Sequence, residues 1–573
     1  MRDDRYHLPL LVLLTAAVFA PTLGFPLLDG WDDQRYILQN TEGLRGTAAN
    51  LWNYLTSLHF YNYHPVTMYS YMLDYTVGGT TAWPYRVQSL GWHLVAAAGL
   101  YQCARALPLA PGAALLVALV WAVHPQRVES VVWVSERKDV LFGAFGFWGC
   151  WVYLARPRAR VLAWGLLVLA VLAKAMAVGF PFLLLAWEWW QAGGQARRVP
   201  WRRLLPFFTV LLVVLPTAFV GQTGAIRVDE PLWRRFALVA HNLAWYAEQT
   251  LWPLGLNPMY PRVRFTGGDW LRLAVFWGAL AAGLALWAVH AERRRQWRLA
   301  LPLLLAYPAA LGPMLGLFSL GPVDLADRHS YLPSAVLLVL AALGGCWLAA
   351  RWPALARPAV RWPAGVAVVL ALVASTLAYS RHWGSTDAVL ARATTRDPAN
   401  SLALGTRATR ELWYGNYEQV HALADRLLHL DPRGYTPAGQ AANRVRAHYL
   451  HGVALVRAGR FAEALPWYDA VVLEVRQPGA DSALDVTAFF LSFGEANRHT
   501  GRWHVARLCY DEVLRRDPAL HEARLYRGMA ALKLGYHAAA VADLRACLAA
   551  APQDLSVAAL LAEAERAGTR PER

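Results

Sequence analysis

The sequence predicts an all-α chain in two parts: a polytopic helical membrane domain of about eleven spans, followed by an α-solenoid. Three observations predict it. The composition is too apolar for a soluble protein, apolar runs alternate with arginine clusters over the first 380 residues, and a 34-residue period appears after Tyr379.

Of 573 residues, 57% are hydrophobic and 16% charged, with mean hydropathy +0.26. Soluble domains carry about 25% charge, so much of the surface must face lipid. The 27 Trp residues suit rings that anchor helices at bilayer interfaces. A net charge of +16 suggests nucleic acid at first sight. The arginines, however, cluster in short loops between apolar runs, which is the positive-inside pattern and not a nucleic-acid-binding stripe. The five cysteines lack metal-like spacing and imply no disulfide framework.

Apolar runs fall near 8–26, 86–106, 109–124, 138–155, 161–190, 204–220, 236–256, 270–290, 299–318, 330–350 and 364–380. A span needs roughly 20 residues. The first run could pass for a signal peptide, but Pro21 follows the possible cleavage point, so it reads as an uncleaved span. The clusters "ARPRAR" (155–160), "ARRVPWRR" (196–203), "ERRRQWR" (292–298) and "ARWPALARPAVRW" (350–362) are all cytoplasmic only under two conditions. The run 161–190 must be a hairpin of two short helices turning near Lys174. The run 236–256, which contains His241, Asn242, Glu248 and Gln249, must not cross. The N-terminus is then inside and the C-terminus outside.

After Tyr379 the composition turns soluble. Asp397-Pro398 to Asp431-Pro432 spans 34 residues, and Asp517-Pro518 to Ala551-Pro552 spans 34 again. Each unit carries a Gly just before an aromatic or His, in "YGNY" (414–417), "AGRF" (458–461), "TGRW" (500–503) and "LGYH" (534–537). A small residue precedes each Gly by about seven positions: Ala408, Gly452, Gly494 and Gly528. This helix–turn–helix pattern resembles tetratricopeptide repeats, whose arrays form superhelices with a concave binding surface. Four units are visible, with an insertion after the first, and 554–567 reads as a capping helix. The organisation expected is a membrane domain over 1–382, a linker over 383–396 and a repeat domain over 397–573, outside the cytoplasm.

The polar residues of the membrane half gather on one side. "FPLLDGWDDQRYILQN" (25–40) places Asp29, Asp32 and Asp33 where the first span ends. The loop 56–75 carries His59, His64 and Asp74. The loop 124–139 carries His124, Arg127, Glu129, Glu136, Arg137, Lys138 and Asp139, and the loop 319–334 carries Asp324, Asp327, Arg328, His329 and Tyr331. Lys174 sits alone in an apolar hairpin. Ionisable residues at membrane depth mark function by default.

The motifs "WDDQRYILQN", "NYHPVTMYSYMLDY", "HPQRVESVVWVSERKDVL", "LAKAMAVGFPFLLL", "TLWPLGL" and "DLADRHSYLPS", in this order and ahead of the repeats, closely resemble bacterial relatives of the TMTC family. Those are the transmembrane and tetratricopeptide-repeat-containing glycosyltransferases. One departure is "LAKAMAV", with Ala where the family places Pro after the Lys. The resemblance implies a GT-C type membrane fold and transfer of a sugar from a polyprenyl-phosphate carrier to an acceptor on the outer face. It places the family's acidic catalytic motif on Asp32 and Asp33.

The expected chemistry is a single displacement at the anomeric carbon. A carboxylate, Asp32 or Asp33, takes the proton of the acceptor hydroxyl. Fixed cations meet the charge growing on the leaving phosphate, and Arg137, Lys138, Lys174 and Arg328 are the candidates. His64, His124 and Tyr331 are candidate substrate contacts, and Glu129 a partner that orients a cation. Each has a plainer reading as well: a cap after Gly30 for the aspartates, a helix boundary before Pro for the histidines, a snorkelling flank for Arg137 and Lys138, an interface anchor for Tyr331. No cluster shows metal-ligand spacing, so no obligatory cofactor or metal is expected. The expected partners are the lipid-linked donor and a protein acceptor or envelope partner held by the repeats, at the bacterial inner membrane with the repeats in the periplasm. Two other functions fit less of the pattern: a non-catalytic membrane-tethered repeat scaffold, and an oligosaccharide ligase using a pyrophosphate-linked carrier.

Overall fold

The computed structural model describes residues 3–60, 62–222, 226–227, 231–263, 265–291, 299–317, 319–320, 323–430, 437–476 and 484–569. The cluster 292–298 and the Asp431-Pro432 pair lie outside the described residues. The chain divides into two compact units, Met1–Asn400 and Ser401–Arg573.

Unit 1 is helical. Its helices are α1 (His7–Phe19), α2 (Ala48–Thr56), α3 (Pro65–Gly78), α4 (Ala82–Ala106), α5 (Pro111–Ala122), α6 (Arg127–Val132), α7 (Arg137–Ala155), α8 (Arg160–Ala173), α9 (Phe180–Gln191), α10 (Trp201–Gln222), α11 (Leu232–Leu251), α12 (Gly267–Ala291), α13 (Ala300–Leu311), α14 (Pro333–Arg351), α15 (Pro353–Ala356), α16 (Pro358–Ser380) and α17 (Thr386–Arg396). The strand content described is one antiparallel pairing of Ile226–Arg227 with Ser319–Leu320. Proline opens α3, α5, α14 and α16, where its missing N–H costs nothing and its fixed φ favours the helix.

Among the described residues, Asp4–Gly24, Gly267–Leu286, Pro333–Arg351 and Pro358–Trp383 are helical stretches long and apolar enough to cross a membrane. Pro111–Ala122, Arg160–Ala173 and Ala300–Leu311 are apolar but shorter. The other expected spans correspond to α4, α7, α9 and α10. The hairpin over 161–190 breaks at Lys174, whose backbone is extended (φ −159°, ψ 135°) between α8 and a 3-10 turn, Ala175–Gly179. Helix α11 buries Arg234, His241, Asn242 and Thr250 and exposes Leu232, Trp233, Phe236 and Leu251. The helix thus exposes large apolar side chains while burying polar ones among Leu238, Trp245 and Tyr246.

The stretch 383–396 differs from the expected linker. Ser385 caps α17 by accepting the Ala388 N–H. The helix is tied into unit 1 through Thr386, which bonds Asp29, and Arg392, which bonds the Leu256 carbonyl. Asn400 also belongs to unit 1, donating to the Met259 carbonyl.

Unit 2 is a stack of helix pairs: α18 (Ser401–Trp413) with α19 (Tyr417–Leu428), α20 (Pro437–Arg457) with α21 (Phe461–Glu474), α22 (Val486–His499) with α23 (Trp503–Arg516), and α24 (His521–Lys533) with α25 (His537–Ala550), followed by α26 (Leu555–Gly568). Each pair turns on a left-handed glycine: Gly415, Gly459, Gly501 and Gly535 all have φ between 74° and 80°, a region that Cβ-bearing residues avoid. The small residues mark the helix crossings. A Cβ on Gly452 would stand 2.7 Å from the Tyr468 ring, and one on Gly494 2.8 Å from Tyr510.

Candidate functional site

The loop after α1 turns through Gly30 (φ 66°) into a π-helical turn, Gln34–Leu38. Its two central aspartates part company. Asp33 is fully buried and works as a staple. One carboxylate oxygen accepts the Leu28 N–H at 3.0 Å, and the other accepts the Ser135 N–H at 2.9 Å and the Ser135 hydroxyl. Asp32 is partly exposed and makes no hydrogen bond or ion pair among the described residues. Its charged neighbours are Lys138, Glu136, Arg328 and Arg35. Burial raises its carboxyl above the ordinary value, Lys138 and Arg328 oppose that, and Glu136 adds to it.

Three of those neighbours, Glu136, Lys138 and Arg328, belong to one ionic cluster drawn from three distant segments. Glu136 ends a short 3-10 turn before α7 and sits 3.2 Å from Lys138 Nζ, 3.0 Å from Lys174 Nζ and 3.6 Å from Arg328 Nε. Lys174 also reaches Asp139 at 2.6 Å, and Ser130 donates to that carboxylate. Glu129 holds Arg328 twice, accepting its backbone N–H at 2.8 Å and its guanidinium. Burial alone would raise the Glu136 pKa, but Lys138, Lys174 and Arg328 together hold it well below the usual carboxylate range. The three cations keep 11%, 13% and 17% of their side chains accessible, whereas Glu129, Glu136 and Asp139 keep 5% or less. The carboxylates are thus spent beneath, and the positive groups are presented.

Aromatic rings wall the cluster. Lys138 stands over the Tyr36 ring at 5.5 Å and Arg328 over Trp133 at 5.5 Å. Trp31, adjacent to Asp32, stacks on Trp133 with centroids 4.1 Å apart. His64 packs edge-on to Tyr36 at 5.6 Å. It is buried, among the described residues neither ring nitrogen makes a well-formed hydrogen bond, and burial with the nearby Lys138 holds its pKa well below the ordinary histidine value.

The structure therefore brings Asp32, His64, Glu129, Lys138, Lys174 and Arg328 together. Four other candidates stand apart from that group. Arg137 lies one residue before Lys138, about 100° round the helix. It is buried and bonded to Asp74, Ser89, Ser70, Gln88 and the Tyr85 carbonyl, which leaves it no free edge for a phosphate. His124 uses both ring nitrogens, toward the Thr250 carbonyl at 3.1 Å and the Gln126 N–H at 3.3 Å. Tyr331 is buried, its hydroxyl 2.8 Å from His93 Nδ1 and its ring against Trp121 and Phe142. Asp33 is the staple already described.

Glu136, the hub, is absent from the candidates drawn from sequence. The signal for it lay beside Arg137 and Lys138 in "SERKD": the four cations expected at one place, those two with Lys174 and Arg328, demand carboxylates beside them. Among the described residues, no group of three or more His, Cys, Asp or Glu is arranged to hold a metal ion. A separate apolar groove of about 1170 Å³ runs between α11, α12, α13 and α14, lined by residues such as Leu251, Leu271, Phe276, Leu304 and Trp347. At its polar edge Arg272 and Glu248 approach to 3.5 Å.

No family model matches the chain, and neither does any curated protein sequence. Solved structures give weak likenesses. ArnT from Cupriavidus metallidurans bound to undecaprenyl phosphate is 14% identical over 88% of this chain and 80% of that one, with TM-score 0.30. The TPR domain of P58(IPK) is 12% identical over 74% and 98%, TM-score 0.22. The APC/C hetero-tetramer Cut9–Hcn1 gives 14% over 77% and 93%, TM-score 0.23. Likenesses this low assign no function, and the chemistry has to come from the residues of this chain.

Proposed function

We propose that the chain is a membrane glycosyltransferase of GT-C type that moves a sugar from a polyprenyl-phosphate carrier to an acceptor hydroxyl on the outer face of the membrane. One observation carries this reading: three cations presented over buried carboxylates, with Asp32, which makes no hydrogen bond or ion pair among the described residues, facing the same cluster. Asp32 removes the acceptor proton as the hydroxyl oxygen attacks the anomeric carbon. The bond from that carbon to the phosphate oxygen breaks, and the electron pair leaves with the phosphate. Lys138, Lys174 and Arg328 meet the added negative charge, and in a site shielded from water such fixed charges count most. Glu136, Glu129 and Asp139 hold those cations in place. His64, neutral and without a well-formed hydrogen bond among the described residues, contacts the substrate. The apolar groove suits an isoprenoid tail. The repeats of unit 2 recruit a protein acceptor or an envelope partner.

The topology in this proposal has eleven spans, a cytoplasmic N-terminus and unit 2 in the periplasm. The site itself is tested by native mass spectrometry of the full chain in nanodiscs with a short-chain polyprenyl phosphate. Wild type and Asp32→Asn should bind it, and Lys174→Met and Arg328→Gln should lose most of the bound population. Equal binding by all four would overturn the assignment of the cations.

A further inference from the structure

In unit 2, two histidines from successive repeats meet nitrogen to nitrogen. His421 on α19 and His451 on α20 place their Nδ1 atoms 2.7 Å apart, with ring planes 21° from parallel and centroids 5.0 Å apart. His451 is buried, and the Trp467 indole on α21 stacks on its ring at 4.0 Å. Its Nε2 lies 3.2 Å from the carboxylate of Asp425, one helical turn along α19 from His421. That approach is electrostatic and not a well-formed hydrogen bond. Val420 and Leu450, the sequence neighbours of the two histidines, belong to an aliphatic core that α19 and α20 share. Apolar contacts do not titrate, so acid reaches this joint through its polar edge.

A close contact between two imidazole nitrogens holds one proton: one nitrogen donates and the other accepts. Asp425 favours a proton on His451 Nε2, so in the neutral pair His421 Nδ1–H donates to the His451 Nδ1 lone pair. One added proton is tolerated, because a single N–H still stands between the rings. A second is not. Both Nδ1 atoms then carry hydrogen, neither can accept, and two like charges face each other.

The surroundings set when the second proton arrives. Burial pushes His451 down to about 4; Asp425 opposes that, and His421 and His448 add to it. Burial also lowers His421, with Asp425 opposing and Arg460 adding. Burial lowers His448 in turn, with Glu474 opposing and Arg444 adding. Groups held low in the closed joint take up protons more readily once it opens. Closure is therefore favoured near neutrality and is lost as pH falls below the ordinary histidine value.

We infer that the His421–His451 pair is an acid-sensitive latch between the first two repeats: while one nitrogen can accept, it ties α19 to α20, and with both rings charged it loosens that joint. This inference rests on unit 2 alone and does not depend on the reaction proposed above.

The test is hydrogen–deuterium exchange of the full chain in nanodiscs, in steps from about pH 7 to about pH 4, with labelling times scaled to the intrinsic exchange rate. In wild type, protection through α19 and α20 should fall in acid by at least about tenfold more than protection through α24 and α25, the equivalent of one unit of pKa difference between closed and open joints. His421→Gln should lose that response, because its amide can turn to offer His451 a donor or an acceptor. Asp425→Asn removes the charge that favours both imidazolium ions, so loosening should need lower pH. No acid response in wild type, or equal responses in wild type and His421→Gln, would overturn the latch. A loosening midpoint that stays or rises in Asp425→Asn would do the same, and that exposed position keeps the test decisive where His421→Gln harms folding.

Discussion

The Asp33 carboxylate accepts both the backbone N–H and the hydroxyl of Ser135, a residue 102 positions away. With the Leu28 N–H on its other oxygen, this buried group sews the loop after α1 to the turn before α7. Removing it leaves three buried donors unpaired, at about 3 kcal/mol. Asp33→Ala should therefore lower the melting temperature of the membrane unit markedly. Asp32→Asn should melt as wild type does and lose transfer by at least about a hundredfold. Thermal unfolding of both variants, beside transfer activity, separates the two roles.

The pH dependence follows from the surroundings of Asp32. Burial sets its carboxyl above the ordinary value and Lys138 pulls it down. A base must be ionised to act, so the acid limb of the pH–rate profile should lie above the pH of an ordinary carboxylate. Lys138→Met removes a cation that favours the ionised form, so that limb should move to higher pH. A limb that stays in place or moves down contradicts the assignment.

Lys174 is held between Glu136 and Asp139, and its loss uncovers two buried carboxylates. Lys174→Met should weaken donor binding by about tenfold, near 1.4 kcal/mol, and Lys174→Arg should recover part of it. Titration of a short-chain polyprenyl phosphate against each variant reads the difference.

In unit 2, a Cβ on Gly452 meets Tyr468, whose ring is buried and whose hydroxyl lies 2.6 Å from Ser492 Oγ. The ring has nowhere to swing. Gly452→Ala should cost about 2 kcal/mol, seen as faster hydrogen–deuterium exchange through α20, α21 and α22 with exchange in residues 3–400 unchanged.

The features with a period were legible in the sequence. The repeat glycines and the small crossing residues follow from spacing, and the break at Lys174 from the distribution of arginine clusters. What spacing cannot supply is side-chain direction inside a short irregular turn. Asp32 and Asp33 are neighbours of identical chemistry, yet one is a staple and the other faces the cluster. Arg137 and Lys138 divide in the same way across a helix start. His124 and Tyr331 were legible as unusual polar residues, but their partners, Thr250 and His93, come from other helices. Glu136 was hidden because its role arises from three cations at positions 138, 174 and 328 that only the fold assembles. The stretch 383–396 read as a linker because its contacts, with Asp29 and Leu256, are distant in sequence.

The most direct measurement compares intact envelope glycoproteomes of a deletion strain complemented with wild type, Asp32→Asn or Lys174→Met. Wild type should restore a set of modified proteins, and both variants, present at wild-type levels in the membrane, should restore none of them. Full restoration by Asp32→Asn would contradict its role as the base, and with it the central claim.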